Sequence, residues 1–205
     1  MNMIQNKTFD MERALYGSRD IIVQDCSFDG PADGESALKE CSDVQAERCF
    51  FNLRYPFWHN HGLEIHGSEM TELCRAAIWY SDHITITDTK LYGIKALREC
   101  ADVKMKNCDI ISPEFGWSVR GIDMEDCTAQ SEYFMMRSTD LCFKNVQMKA
   151  SIPSNTLKTP FLRTVFLIQR THFGMPKTLW FVTASSKVSI WRGTVRTLYL
   201  RTVEL

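Results

Sequence analysis

Three tryptophans and two cations recur at related places in the chain: Lys39, Trp58, Trp79, Arg98 and Trp117, with Tyr16 before them and Met136 after. The steps from Lys39 to Trp117 are 19, 21, 19 and 19 residues. If each step is one structural repeat, these side chains form an aromatic and basic stripe. Indole rings suit the apolar faces of sugars, and Lys39 and Arg98 suit acidic groups on them. His59 and Tyr80 directly follow Trp58 and Trp79, and Glu99 follows Arg98, which completes a candidate substrate-binding set.

The densest titratable segment is Trp58-His59-Asn60-His61-Gly62-Leu63-Glu64-Ile65-His66. Imidazoles and a carboxylate are zinc donors. Glu64 and His66 flank an inward Ile65, however, while His59 and His61 precede it across a bend. Convergence on one ion is not implied, and neither a metal nor another cofactor is expected. Glycoside hydrolysis uses two carboxylates about 5–9.5 Å apart. Glu40 and Glu99 share a column but lie three repeats apart, roughly 14 Å at the strand-stacking interval. Glu64, Glu69 and Asp82 are nearer the tryptophans, but the repeat fixes no pair among them. A lyase needs a base beside a bound uronate, for which Lys39, Lys95 or Arg98 could serve. Catalytic residues therefore stay unassigned, and any activity would be of polysaccharide lyase or glycoside hydrolase type.

The elements that must position these groups come from the same repeat. Aligned on one aliphatic column, the chain places Ile21, Val44, Leu63, Ile84, Val103, Ile122 and Leu141 at steps of 23, 19, 21, 19, 19 and 19 residues. Inward positions follow two, five and seven residues later, the five-residue offset holding Cys26, Cys49, Ser68, Thr89, Cys108, Cys127 and Val146. Two short period-2 strands separated by a bend give this pattern. Asp25, Gly67, Asp88, Asn107, Asp126 and Asn145 stand at the bend and tolerate a left-handed backbone, with Arg48 the exception. A third inward column holds Leu15, Leu38, Phe57, Ile78, Leu97, Gly116 and Met135. Three short strands per turn specify an all-β, single-stranded parallel β-helix of about seven rungs of 19–23 residues. Residues 1–12 read as a cap on its open end, and the segment from Gly30 to Gly34 as a protruding loop.

The columns stop near residue 149, so the chain divides into a β-helix over 1–149 and an atypical tail over 150–205. Residues 151–205 carry eight Lys/Arg and one acid, against 16 basic and 24 acidic residues before them. One reading makes this a distinct basic element. The sharper reading makes it the repeat in the wrong frame: back-translated with permissible codons and shifted, it yields ENAVFENCVF, a rung with its cysteine restored. Such a frameshifted tail is expected to pack poorly. All eight cysteines precede residue 150 and none has C-x-x-C spacing, which fits reduced core thiols in a reducing compartment. With no signal-peptide pattern and no run long enough to span a bilayer, a cytoplasmic chain without membrane association is expected.

The segments Glu12-Arg13-Ala14-Leu15-Tyr16-Gly17-Ser18, Leu53-Arg54-Tyr55-Pro56-Phe57-Trp58, Cys74-Arg75-Ala76-Ala77-Ile78-Trp79-Tyr80 and Gly93-Ile94-Lys95-Ala96-Leu97-Arg98-Glu99-Cys100 resemble an uncharacterised bacterial family. That family is a domain of unknown function with a right-handed parallel β-helix, distantly similar to pectin-lyase-like proteins. The resemblance covers residues 1–149 and implies the fold, but it carries no catalytic residues over. The functional expectation is a carbohydrate-handling β-helix with a glycan as partner, or a non-catalytic scaffold presenting the same face to a protein. Nucleic acid binding by the basic tail is the weaker expectation, and oligomeric state is not encoded in any pattern.

Overall fold

A computed structural model describes residues 1–30, 34–150 and 161–168. Its architecture is a parallel β-solenoid of about eight turns. Eight strands stack side by side in the order Asn2–Gln5, Arg19–Gln24, Ser42–Glu47, His61–His66, Asp82–Thr87, Ala101–Lys106, Arg120–Glu125 and Thr139–Ala150. The aliphatic column pairs as expected, Ile21 with Val44, Leu63 with Ile84, Val103 with Ile122 and Ile122 with Leu141. A second column of short strands follows each bend, from Thr8–Phe9 to Thr128–Ser131, and Phe57–Trp58, Ile78–Trp79 and Leu97–Arg98 form a third side.

Stacking places like over like, which builds the core. Phe9, Phe28 and Phe51 lie ring over ring at 4.9 and 4.8 Å, and Phe28, Phe51, Phe57 and Phe115 are fully buried. Alternation along each six-residue strand turns two side chains inward, as in Val44 and Ala46 or Ile84 and Ile86. The intervening charges stay outside. Glu125 sits between Lys144 and Lys106, which is 3.7 Å away, and the Lys144 hydrogen bond holds its carboxyl below the usual range.

One expectation is corrected. Residues 1–12 do not cap the coil but make a rung of it: Asn2 pairs with Ile21 and Ile4 with Val23, all parallel. Asn2 and Lys7 stand where other rungs carry an aliphatic residue and a cysteine, which hid the turn. Gly116, the weak member of the third inward column, keeps its place there: it is buried, its amide donates to the Leu97 carbonyl at 2.9 Å, and Met135 packs into the space of the missing side chain, with Phe115 buried beside it.

The bend column is left-handed throughout, with φ from 48 to 55° at Asn6, Asp25, Arg48, Gly67, Asp88, Asn107, Asp126 and Asn145. Stacked carboxylates would repel, and the column avoids this by alternation. Arg48 binds Asp25 through two nitrogens at 2.8 and 3.0 Å, Asn107 donates to Asp88 at 3.1 Å and Asn145 to Asp126 at 2.6 Å. Arg48 is thus the donor that offsets its own unfavourable backbone. A second left-handed column, Asp20, Asp43, Gly62, His83, Asp102, Gly121 and Asp140, precedes the aliphatic one, and a third comprises Gly17, Glu40, His59, Tyr80, Glu99, Ser118 and Arg137.

The cysteine column is explained by these corners. After a left-handed residue the next N–H points along the coil axis, where a strand partner is missing. The side chain one rung on accepts it: Cys49 donates to Ser68 Oγ at 3.0 Å, Ser68 to Thr89 Oγ1 at 3.3 Å, and Cys108 to the Cys127 sulfur at 3.5 Å. Each acceptor in turn donates to the carbonyl two residues before it, as Ser68 does to His66 at 3.0 Å and Thr89 to Thr87 at 2.7 Å. The same arrangement recurs at the next corner, where the Cys41 amide meets Asn60 Oδ1 at 2.9 Å and the Asn60 amide meets Ser81 Oγ at 2.9 Å. Seven cysteines are buried, Cys142 is half-buried, and none is in a disulfide.

The strand Phe161–Ile168 pairs antiparallel with Thr139–Ala150, unlike every other pairing among the described residues. The rest of the tail, and with it the frameshift expectation, lies outside the described residues, as do Pro31, Ala32 and Asp33 of the expected loop. Among the described residues no helix is long and apolar enough to cross a membrane.

Two outcomes follow. Ser68→Ala strands the buried Cys49 amide and costs about 1–3 kcal/mol in urea unfolding, whereas Ser68→Cys, which restores the acceptor used elsewhere in the column, costs less than about 1 kcal/mol. Burial pushes the thiols of Cys49 and Cys74 up to about 11 and that of Cys100 up to about 12. A raised thiol pKa leaves little thiolate at pH 8, so a disulfide reagent there modifies Cys142 first and reaches these buried thiols only after denaturation.

Candidate functional site

The third side of the coil carries the stripe. Phe57, Ile78 and Leu97 point inward, which turns Trp58, Trp79 and Arg98 outward in register, with Trp117 bridging to Arg98. Contacts along the axis are continuous. Lys39 Nζ lies 5.1 Å over the Trp58 ring, Trp58 and Trp79 stack at 5.4 Å and 12°, and the Arg98 guanidinium sits between Trp79 at 4.8 Å and Trp117 at 5.1 Å. Beside this row runs a second one, from the left-handed corner: His59 stacks on Tyr80 at 4.9 Å, and Tyr80 lies 5.2 Å from Trp79. The left-handed backbone at His59, Tyr80 and Glu99 turns consecutive residues to the same outer face, which doubles the stripe's width.

One expectation changes in kind. The indole faces are turned toward their neighbours along the coil, so a ligand would meet ring edges and the rims of the cationic sandwiches rather than open faces. The donor atoms tell the same story. Among the described residues the buried side-chain nitrogens without a hydrogen-bond partner are Trp58 Nε1, Asn60 Nδ2, Trp79 Nε1 and Arg98 Nε, all from the stripe or two residues beyond it. They lie within the stacked rows rather than at their surface, and Arg98 Nε faces Glu99 Oε1 at 4.0 Å.

Charges close both ends. Glu40 accepts a hydrogen bond from the Tyr16 hydroxyl and lies 3.7 Å from Lys39, and these contacts, Tyr16 first, hold its carboxyl below the usual range. Glu99 lies 4.0 Å from Arg98. The carboxyls with a perturbed pKa among the described residues, Asp25, Glu40, Asp82 and Glu125, are all shifted down. A glycosidase's general acid requires the opposite shift. Lys95 points away from the stripe's cations and lies 3.7 Å from Glu114.

Beyond Arg98 the face continues into a depression of about 380 Å³ lined by Glu99, Cys100, Ser118, Arg120, Arg137 and Thr139. Arg120 and Arg137 were missed in the sequence. Their signal was their place in the columns of His61 and His59, three and four turns away respectively.

The histidines separate. His59 belongs to the aromatic row, while His66 meets Thr87 Oγ1 at 2.8 Å and Glu64 at 3.4 Å. His61 joins a different group. Its Nδ1 contacts Asp82 Oδ1, which also lies 2.8 Å from His83 Nδ1, and His83 Nε2 faces Asp102 Oδ2 at 3.8 Å. His61, Asp82 and His83 present donor atoms within 4.8 Å of one another and are the residues that could hold a cation.

No curated protein matches the chain. Among solved structures, a protein of Parabacteroides merdae described as a "putative glycosyl hydrolase" is similar at 13% identity with a TM-score of 0.20. The alignment covers 65% of this chain and 58% of that one, so the chain spans little more than half its length. A likeness that low transfers neither detail nor activity. A family model matches residues 2–173. With most of its length matched, the chain belongs to the family described as protein of unknown function, DUF3737.

Proposed function

We propose that this β-solenoid binds an acidic carbohydrate along the face formed by Lys39, Trp58, Trp79, Arg98 and Trp117, with His59, Tyr80 and Glu99 beside them. The observation that supports this most is the unbroken row in which Lys39, Trp58, Trp79, Arg98 and Trp117 stack along the coil axis. Ring edges with cations set between them suit a ligand rich in hydroxyl and carboxylate oxygens. Lys39 at one end and Arg98, Arg120 and Arg137 toward the other favour an anionic sugar such as a uronate. A chain lying along the coil axis would meet one rung about every 4.8 Å, close to the length of one sugar residue. Binding is favoured over hydrolysis because the Tyr16 hydrogen bond holds the Glu40 carboxyl below the usual range, and because Glu40 and Glu99 stand three rungs apart. A protein-binding scaffold that uses the same face is the competing reading.

The test is calorimetry with galacturonate oligomers and with neutral cello-oligomers of equal length. The acidic series binds more tightly and weakens with added salt. Arg98→Gln, which removes a charged donor worth about 1.5–3 kcal/mol, lowers affinity roughly 10- to 100-fold. Trp58→Ala combined with Trp79→Ala abolishes binding while the circular dichroism of the coil is retained. Uronate binding that survives the double tryptophan variant unchanged would overturn the proposal, as would its absence from the wild-type protein.

A further inference from the structure

We infer that His61, Asp82 and His83 form a surface site for a divalent transition-metal ion of the zinc type, with Asp102 orienting one of its ligands. The inference is independent of the carbohydrate reading.

The backbone assembles the donors. His61 and Asp82 are register partners on adjacent strands, so their side chains stack as neighbours. His83 then takes a left-handed conformation, φ 53°, before Ile84 resumes the inward phase. The strand's alternation is suspended for one residue there, and Asp82 and His83 both face out. At this place in the other turns stand Asp20, Asp43, Gly62, Asp102, Gly121 and Asp140, residues suited to a left-handed backbone. A histidine is the bulkiest member of the column, and its ring is where it can reach Asp82.

The chemistry of the set favours a borderline metal over calcium or magnesium. Two imidazoles and one carboxylate oxygen suit zinc, cobalt or nickel, whereas hard cations prefer oxygen alone. Ligands near 2.1 Å in a tetrahedral arrangement lie about 3.4 Å from one another, and the three donor atoms lie within 4.8 Å of one another before any ion draws them in. Both Nδ1 atoms face the same carboxylate oxygen, Asp82 Oδ1. An ion bound there would be ligated through the two Nδ1 lone pairs. Each neutral ring would then carry its hydrogen on Nε2, and the Nε2 of His83 faces Asp102 Oδ2. A carboxylate behind a metal-bound histidine fixes its tautomer and raises its basicity. Asp102 is already placed for that role from the next rung. Three protein donors leave at least one position for water or for an oxygen atom of a bound ligand.

The experiment is titration of the metal-stripped protein with Zn²⁺ by calorimetry, and with Co²⁺ by visible absorption. One saturable equivalent is expected, with Co²⁺ bands of low coordination number. Binding weakens from pH 7.5 to 5.5, because the imidazoles must be neutral to ligate. His83→Asn, which keeps a residue tolerant of the left-handed backbone, and Asp82→Asn each remove the saturable site. Asp102→Asn weakens it by about tenfold, and His66→Ala, outside the cluster, leaves it unchanged. Far-UV circular dichroism accompanies each variant. The inference is overturned if the wild-type protein shows no saturable equivalent, or if Asp82→Asn and His83→Asn bind Zn²⁺ as tightly as wild type.

Discussion

The constraint on which the structure depends is the corner amide. A coil of about twenty residues per turn must bend sharply several times, and at two of its three left-handed columns the bend takes an N–H out of the strand ladder. Buried without a partner, such a group costs about 1–3 kcal/mol, repeated at every turn. The chain meets this cost with a small acceptor on the next rung, a hydroxyl, a thiol or an Asn carbonyl, that also donates to its own rung. The cysteines are therefore hydrogen-bonding parts of the corners as much as core filler, which explains why Ser68 and Thr89 replace them without loss of register.

The same stacking geometry governs charge. Because equivalent residues of neighbouring rungs touch, a column of identical carboxylates would repel along its length. At the bend column, acid and donor alternate instead, in Asp25 with Arg48, Asp88 with Asn107 and Asp126 with Asn145. On the outer face of the first sheet, Lys106, Glu125 and Lys144 follow the same rule. The stripe obeys it in another form, with rings and cations interleaved so that Arg98 lies between two indoles. The face proposed for binding is thus a by-product of the rule that holds the coil together.

Residue by residue, the sequence exposed those features whose partners share a column. The repeat, with steps of 19 to 23 residues, placed Ile21 over Val44 and Trp58 over Trp79, because the period is the stacking vector itself. Where a rung broke the column's chemistry, the reading failed. Asn2 and Lys7 concealed the first turn. The left-handed column through Asp20, Asp43 and Asp102 was legible by its residue types, yet it was overlooked because Ile and Val beside it gave the stronger signal.

By itself, then, the sequence determined the coil, its inward columns and the line of aromatic and basic residues along one side, since these follow from periodicity and from a side chain's position on its strand. Only the tertiary structure decided which way the rings face and that His61 meets Asp82 and His83. Those outcomes depend on side-chain torsions and on contacts between different columns of adjacent turns, for which a one-dimensional period holds no information.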